Sequence, residues 1–158
     1  MSVHISNQII KKEWTDYNNH MNVAYYVLVF DESWELMLQK FKMGENSAKT
    51  TQMSTMAVES HITYDNEVKE GDEVEIILTY FDHDKKRLNY KMEMIEKSTK
   101  KLSATIEFLS LYVDLSKRKV SEFENEKVKL MDDFINLNKS SFNNNNLIFN
   151  GKLKNNGN

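Results

Sequence analysis

The sequence predicts an α+β domain in which an antiparallel sheet wraps around one long central helix. Three observations carry this. Residues 22–43 hold one apolar pattern of helical period, one strand-like run precedes it, and four more follow at about 54–64, 72–82, 87–97 and 102–114. The order β-α-β-β-β-β suits antiparallel strands packed around a single helix.

Each element has its own signal. Val3 to Trp14 reads as the first strand, and Tyr17-Asn18-Asn19 as a turn. From about Asn22 to Met43, the residues Tyr26, Phe30, Trp34, Met37 and Phe41 recur at spacings of three and four, the helical period. Val27, Leu28 and Val29 widen the apolar surface nearly all round the first half, which predicts a buried helix rather than one laid on a surface. Gly44 is placed to stop it as a C′ cap. Residues 45–54 are polar and read as a mobile loop. Alternation is clearest in the run after Arg87, where Leu88, Tyr90, Met92 and Met94 oppose Asn89, Lys91 and Glu93. Asp82 to Lys86 and Lys97 to Lys100 read as the turns on either side of it. Residues 1–123 are the expected main domain, and 124–138 a short amphipathic helix with Val128, Met131, Phe134 and Ile135 on one side. The Asn-rich stretch 139–158 is low in complexity and is expected to be disordered.

Composition narrows the function classes. A chain of 158 residues with 40% hydrophobic content fits one domain with an ordinary core. A net charge of −3 gives no electrostatic case for nucleic acid. The absence of cysteine excludes disulfides, a thiol nucleophile and Cys-ligated zinc, and fits a reducing cytoplasm. The N-terminal stretch lacks the apolar core of a signal peptide, and no apolar run is long enough to span a bilayer. His, Asp and Glu occur without metal-ligand spacing, so no metal is expected. No Gly-rich phosphate loop and no Ser-based nucleophile elbow occur.

The chemistry is concentrated between residues 13 and 30. Asp16, His20 and Asn22 sit in a turn-rich segment directly ahead of the long helix. The start of a buried helix offers unpaired N–H groups and the positive end of the dipole, which can stabilise a developing oxyanion. A carboxylate beside it can act as general base or nucleophile. Each residue also has a plain structural reading. Asp16 is at home in a turn or cap, His20 in an exposed loop, Asn22 as a helix cap, and Tyr25 and Tyr26 in the core.

The spacing Asp16-x-x-Asn19-His20-x-Asn22-x-x-Tyr25 resembles the D-x-x-G-H-x-N-x-x-Y signature of hot-dog-fold acyl-CoA thioesterases, the 4-hydroxybenzoyl-CoA thioesterase-like group. Asn19 stands where that family usually has Gly. Asn tolerates a left-handed backbone better than most residues. Further stretches, Val58-Glu59-Ser60-His61-Ile62, Glu70-Gly71-Asp72, Lys86-Arg87-Leu88 and Ala104-Thr105-x-Glu107, resemble the betainyl-CoA thioesterases of carnitine breakdown.

The resemblance implies the hot-dog fold and hydrolysis of a small acyl-CoA thioester, betainyl-CoA being the most specific substrate. Asp16 would be base or nucleophile, His20 and Asn22 would share the site, and the oxyanion donor would be a backbone N–H near Val23. Glu59 and His61 share a strand face. Either Glu59 or, less directly, Glu107 would meet a trimethylammonium group, with Trp14, Tyr25 or Trp34 adding cation–π contacts. Lys86 and Arg87 read most simply as a solvated hairpin tip, and would otherwise pair with the phosphates of CoA. No cofactor is expected beyond the CoA thioester itself. The family commonly pairs sheet edges between chains, so a homodimer or higher homo-oligomer is implied. Two rivals are a 3-hydroxyacyl-thioester hydratase or dehydratase on the same fold and a non-catalytic acyl-CoA-binding module.

Overall fold

The computed structural model describes residues 2–154. Its strands are β1 (Val3–Ile9), β2 (Met53–Tyr64), β3 (Glu73–His83), β4 (Arg87–Glu96), β5 (Leu102–Asp114) and the two-residue β6 (Lys119–Val120). They form one antiparallel sheet in the order β1-β3-β4-β5-β2, with β6 pairing β5. The helices are α1 (Val23–Lys40), α2 (Glu45–Thr51) and α3 (Asn125–Asn138). The register aligns Leu78, Met92, Ile106 and Ile62 in one row across four strands. The first three are fully buried, and together with Val74, Ile76 and Met94 they make the apolar face on which α1 lies. Trp34 of α1 stacks on Tyr90 at 3.6 Å between centroids and meets Phe81 edge-on. This is the hot-dog arrangement, a sheet curled round one long helix.

The expected strands match closely from residue 53 onward, and the differences elsewhere have physical causes. β1 ends at Ile9, because Ile10 turns to pair its N–H with Asp72 and its carbonyl with Gly71, and Lys12–Trp14 form a short 3-10 turn. The polar stretch expected to be a mobile loop contains α2. The C-cap of α1 is Phe41, and its C′ residue is Lys42, not Gly44. Lys42 takes the left-handed φ of 58°, Lys42 N–H donates to Gln39 and Met43 N–H to Leu38, the paired bonds of a Schellman motif. Gly44 precedes α2 with φ 105°, and a Cβ there would meet the Glu35 carboxylate at 2.5 Å.

α1 is not buried all round. Tyr26, Val29, Phe30, Ser33, Trp34, Met37 and Leu38 face the sheet, while Val23, Val27, Leu28 and Leu36 are exposed. The same holds for β2, an edge strand of 12 residues with Met56 and Val58 open to solvent. The two exposed apolar regions remain without cover in one chain.

The expectation of a disordered tail is corrected for residues 139–154, and residues 155–158 lie outside the described ones. After α3, which packs Phe134 against Phe41 and Phe81, the chain crosses the sheet face opposite α1. Asn143 N–H donates to the Thr79 carbonyl, just past the last β1–β3 pair at Leu78. Buried Glu107 accepts from Ile148 N–H at 2.7 Å, Phe149 N–H at 2.9 Å and Asn89 Nδ2 at 2.9 Å. Phe149 is 5% exposed, Lys152 pairs with Glu59, and Lys154 N–H reaches Asp84. Low apolar content predicted disorder, yet the sheet itself supplies carboxylates and carbonyls for the tail's backbone.

Candidate active site

The loop from Trp14 to Asn22 is closed by backbone bonds before any side chain acts. Thr15 and Met21 form an isolated antiparallel bridge, Asn22 N–H donates to Trp14, and Met21 N–H donates to Val68 at 2.7 Å. Asn19 has φ 64°, so the turn keeps its left-handed residue although Asn replaces Gly. Asp16 holds the loop by accepting Asn18 N–H on Oδ1 at 2.9 Å. Its Oδ2 accepts from Asn22 Nδ2 at 3.2 Å, and Asn22 Oδ1 in turn accepts Ala24 N–H at 3.1 Å. Asn22 is therefore both helix cap and tether of Asp16. Losing such a cap costs about 0.5–2 kcal/mol.

Val23 is the first residue of α1, and its N–H has no acceptor among the described residues. It is an orphan donor at the positive end of a long helix. Asp16, His20, Asn22 and Val23 line one cleft of about 290 Å³ with Met21, Tyr26, Tyr64 and Glu67. A carboxylate, an unpaired amide N–H and a helix dipole thus converge on one opening. This set can activate water or attack a carbonyl carbon while the carbonyl oxygen takes up charge.

The His20 ring does not bond to Asp16. Its Nδ1 pairs with Glu67 at 3.0 Å, a residue without a signal in the sequence pattern. Tyr26 and Tyr64 meet edge-to-face at 5.1 Å and form the aromatic wall of the cleft. Burial pushes the Tyr26 phenol above its ordinary pKa. Trp14 and Tyr25 instead stack on each other at 6.3 Å, with Trp14 only 4% exposed, and neither lines the cleft. In one chain the two rings pack beside the loop rather than into the cleft.

Glu59, His61, Glu107, Lys86 and Arg87 lie away from this cleft within one chain. Glu59 and His61 do share a strand face, but it is the face opposite α1, under the tail. Glu59 pairs with Lys152, and His61 lines a small cavity with Lys91, Glu107 and Ile148. Glu107 is engaged by two backbone N–H groups of the tail and by Asn89 Nδ2. Lys86 and Arg87 lie at the β3–β4 turn, the other end of the sheet from Asp16. Arg87 is committed to Asp84, which is buried and accepts Lys86 N–H, Arg87 N–H, Arg87 Nη1 and Lys154 N–H. Burial works to raise the Asp84 pKa, but these donors outweigh it and hold the carboxyl below its ordinary range.

No helix among the described residues is long and apolar enough to cross a membrane. Residues 10–134 match the model of the thioesterase-like superfamily. Over 114 residues the chain is 30% identical to betainyl-CoA thioesterase from Pseudomonas aeruginosa, covering 72% of each chain. A Staphylococcus aureus protein solved in complex with CoA superposes with a TM-score of 0.79 at 20% identity, covering 86% of both chains. A DHNA-CoA thioesterase, also from Staphylococcus aureus, superposes with a TM-score of 0.78 at 11% identity, over 88% of this chain and 94% of that one. The structural likenesses carry the fold, and the sequence matches carry the family: the chain belongs to the thioesterase-like superfamily and is an acyl-CoA thioesterase, a thioester hydrolase.

Proposed function

We propose that the enzyme hydrolyses betainyl-CoA to glycine betaine and CoA at the cleft before α1, with Asp16 as the reacting carboxylate. The observation that carries this is the tethering of Asp16 by Asn22 beside the unpaired N–H of Val23. On the general-base route Asp16 takes a proton from water as the water oxygen bonds to the thioester carbon. Val23 N–H and the helix dipole receive the oxyanion, and collapse expels the CoA thiolate, which takes up the proton. On the nucleophilic route an Asp16 oxygen bonds to the thioester carbon, the C–S bond breaks to release the CoA thiolate, and water then opens the resulting mixed anhydride to carboxylic acid and free Asp16. Single turnover in 18O-water separates the two. Label in the Asp16 carboxylate marks an anhydride opened at the Asp16 carbon; trapping the acyl-enzyme with hydroxylamine detects one opened at the acyl carbon, and neither signal is expected on the base route.

The acyl group is read from the relative's substrate and from charge. Glu59 is engaged by Lys152, so a cationic acyl group needs another acid. Asp31 is the acid on α1 without a hydrogen-bond or ion-pair partner among the described residues. Burial first, then Glu35 and Glu32, hold its pKa above the ordinary value. It lies on the exposed helix face with Val27 and Leu28, and a partner chain would cover it there. We infer a homodimer in which two β2 edges pair, since an uncovered apolar edge of this length invites association. Sedimentation equilibrium reads the stoichiometry directly, and a monomer would overturn it.

The deciding experiment is thiol release from a panel of acyl-CoAs that includes betainyl-CoA. Preferred turnover of betainyl-CoA is the expected result. Faster turnover of a neutral acyl-CoA of similar size would overturn the substrate while leaving hydrolysis intact.

A further inference from the structure

The tail crosses the outer face of the sheet on two sets of anchors. Ile148 N–H and Phe149 N–H hold it on Glu107, and its end is held by Lys152 on Glu59 and Lys154 N–H on Asp84. Between the two sets lies Asn150-Gly151, in the 3-10 turn Asn150–Lys152. Both residues are exposed. Lys152 N–H on Phe149 and Leu153 N–H on Asn150 close the turn, while Gly151 N–H has no acceptor among the described residues. A Cβ built at Gly151 would meet nothing within 4 Å, so the space beside that nitrogen is open. The Asn150 side chain is held by its Nδ2, which donates to the Tyr80 hydroxyl at 2.9 Å. An amide carbon and the unpaired backbone nitrogen of the next residue thus stand together with no side chain to separate them. Asn144, Asn146 and Asn22 each lack one of these features. Asn145 N–H, which follows Asn144, donates to Asn143 Oδ1 at 2.9 Å. Asn146 precedes Leu147, whose side chain crowds its own nitrogen. Val23 N–H is also free, but Val is β-branched, and both ends of the Asn22 amide are engaged.

We propose that Asn150-Gly151 is a site of spontaneous deamidation, and that its conversion releases the end of the tail. The Gly151 nitrogen loses its proton to water and bonds to the Asn150 side-chain carbonyl carbon. The bond from that carbon to Nδ2 breaks, and the departing nitrogen takes up a proton and leaves as ammonia. The product is a five-membered succinimide. Water then opens the ring at one of its two carbonyls, so that water has entered and ammonia has left. Opening at the side-chain carbon gives Asp at position 150. Opening at the backbone carbon gives isoaspartate, in which the chain runs through the side chain and gains one methylene. Either product puts a carboxylate beside the Tyr80 hydroxyl, which already feels the charges of Asp82 and Glu107. Like charges there repel. Isoaspartate also shifts Lys152 and Lys154 by one methylene from Glu59 and Asp84, while Ile148 and Phe149 keep their places on Glu107.

The test ages the purified full chain in mildly alkaline buffer and maps it by mass spectrometry after cleavage at lysine. Cleavage after Lys152 and Lys154 separates position 150 from the second Asn-Gly pair, Asn156-Gly157. The expected result is a steady gain, at position 150, of the mass that replaces an amino group by a hydroxyl. Gly151→Ala puts a Cβ beside the attacking nitrogen and should slow the gain about tenfold or more. Asn150→Gln, which would need a ring one atom larger, should abolish it. In the aged chain, hydrogen exchange should find Lys154 N–H unprotected and Phe149 N–H still protected, as their separate anchors require. An amide intact at position 150 after ageing would overturn the proposal. So would conversion of Gly151→Ala at the wild-type rate, which would deny the Gly151 nitrogen its part. Full protection of Lys154 N–H in a chain converted at position 150 would overturn the release of the tail.

Discussion

Asp16 and Glu107 are both carboxylates flanked by polar neighbours, and the chain uses them in opposite ways. Asp16 is half-buried in a loop, with one donor on each oxygen, and it borders an open cleft. Glu107 is 2% exposed, and three donors converge on it, two of them backbone N–H groups of the tail. A carboxylate offers about four lone-pair sites. Asp16 keeps some of them open toward a place where substrate can enter. Glu107 spends most of them holding a segment that would otherwise have little reason to order. The motif Val-Glu-Ser-His-Ile belongs with Glu107 and the Asp-x-x-Asn-His-x-Asn motif stands apart from it, although both place an acid near a histidine.

The comparison breaks first at Asp16. Asp16→Asn keeps the shape of the turn and can still meet Asn18 N–H, but the amide is neither base nor nucleophile. kcat should fall on the order of a hundredfold or more, with the far-UV spectrum and melting temperature near those of wild type. A folded Asp16→Asn enzyme that releases thiol at the wild-type rate would place the reacting group elsewhere.

The next largest effect is structural and sits at the other carboxylate. Deleting residues 142–158 removes the Phe149 ring, the two backbone donors of Glu107 and the segment that lies over it. Losing one buried Phe costs about 3–5 kcal/mol, offset in part by the freed chain's entropy. For a chain of this size a fall in Tm of at least about 5 °C is expected in a thermal melt. An unchanged Tm would show that the tail contributes nothing to the fold.

The two regions also differ in how far the sequence revealed them. α1 and the strands from β2 to β5 were legible because burial on one face imposes a period, and the boundaries at Tyr64, Arg87 and Asp114 follow it. The Asp16 loop was legible because its cap, turn and acid are local to a few residues. What stayed hidden depends on contacts across long sequence separations. Glu67 meets His20 only when the loop after β2 folds back, and the faces of Glu59 and His61 depend on a bulge between Ala57 and Glu59 and on what lies over them. The tail's composition hides its order, because that order derives from Glu107, Asp84 and Thr79 rather than from its own apolar content. Trp14 and Tyr25 lie beside the site in sequence, and an aromatic there carries no sign of which way it faces.

Glu59→Gln sharpens the contrast with a smaller effect. The Lys152 pair is exposed, and exposed pairs contribute about 0–1 kcal/mol. kcat/KM for betainyl-CoA and for a neutral acyl-CoA should both stay near wild type. Asp31→Asn should lower the preference for the cationic substrate instead. A selective loss in the Glu59 variant, measured on the same two substrates, would return the acyl pocket to the outer face.

The last contrast concerns acid and the tail's anchor at Asp84. The Asp84 carboxyl is held below its ordinary value of 3.8 by donors that include Lys154 N–H and Arg87. Its folded pKa is therefore lower than its unfolded one. The stability it contributes is fully present above pH 3.8 and is lost as the pH falls below that value through the folded pKa. Asp84→Asn removes this contribution at every pH. Melting curves of wild type and Asp84→Asn, followed from about pH 6 down to about pH 2, should lie apart at the upper end and draw together as the pH falls below 3.8. Curves that stay parallel throughout would mean that Asp84 holds the tail and the β3–β4 turn by shape alone, with no part played by its charge.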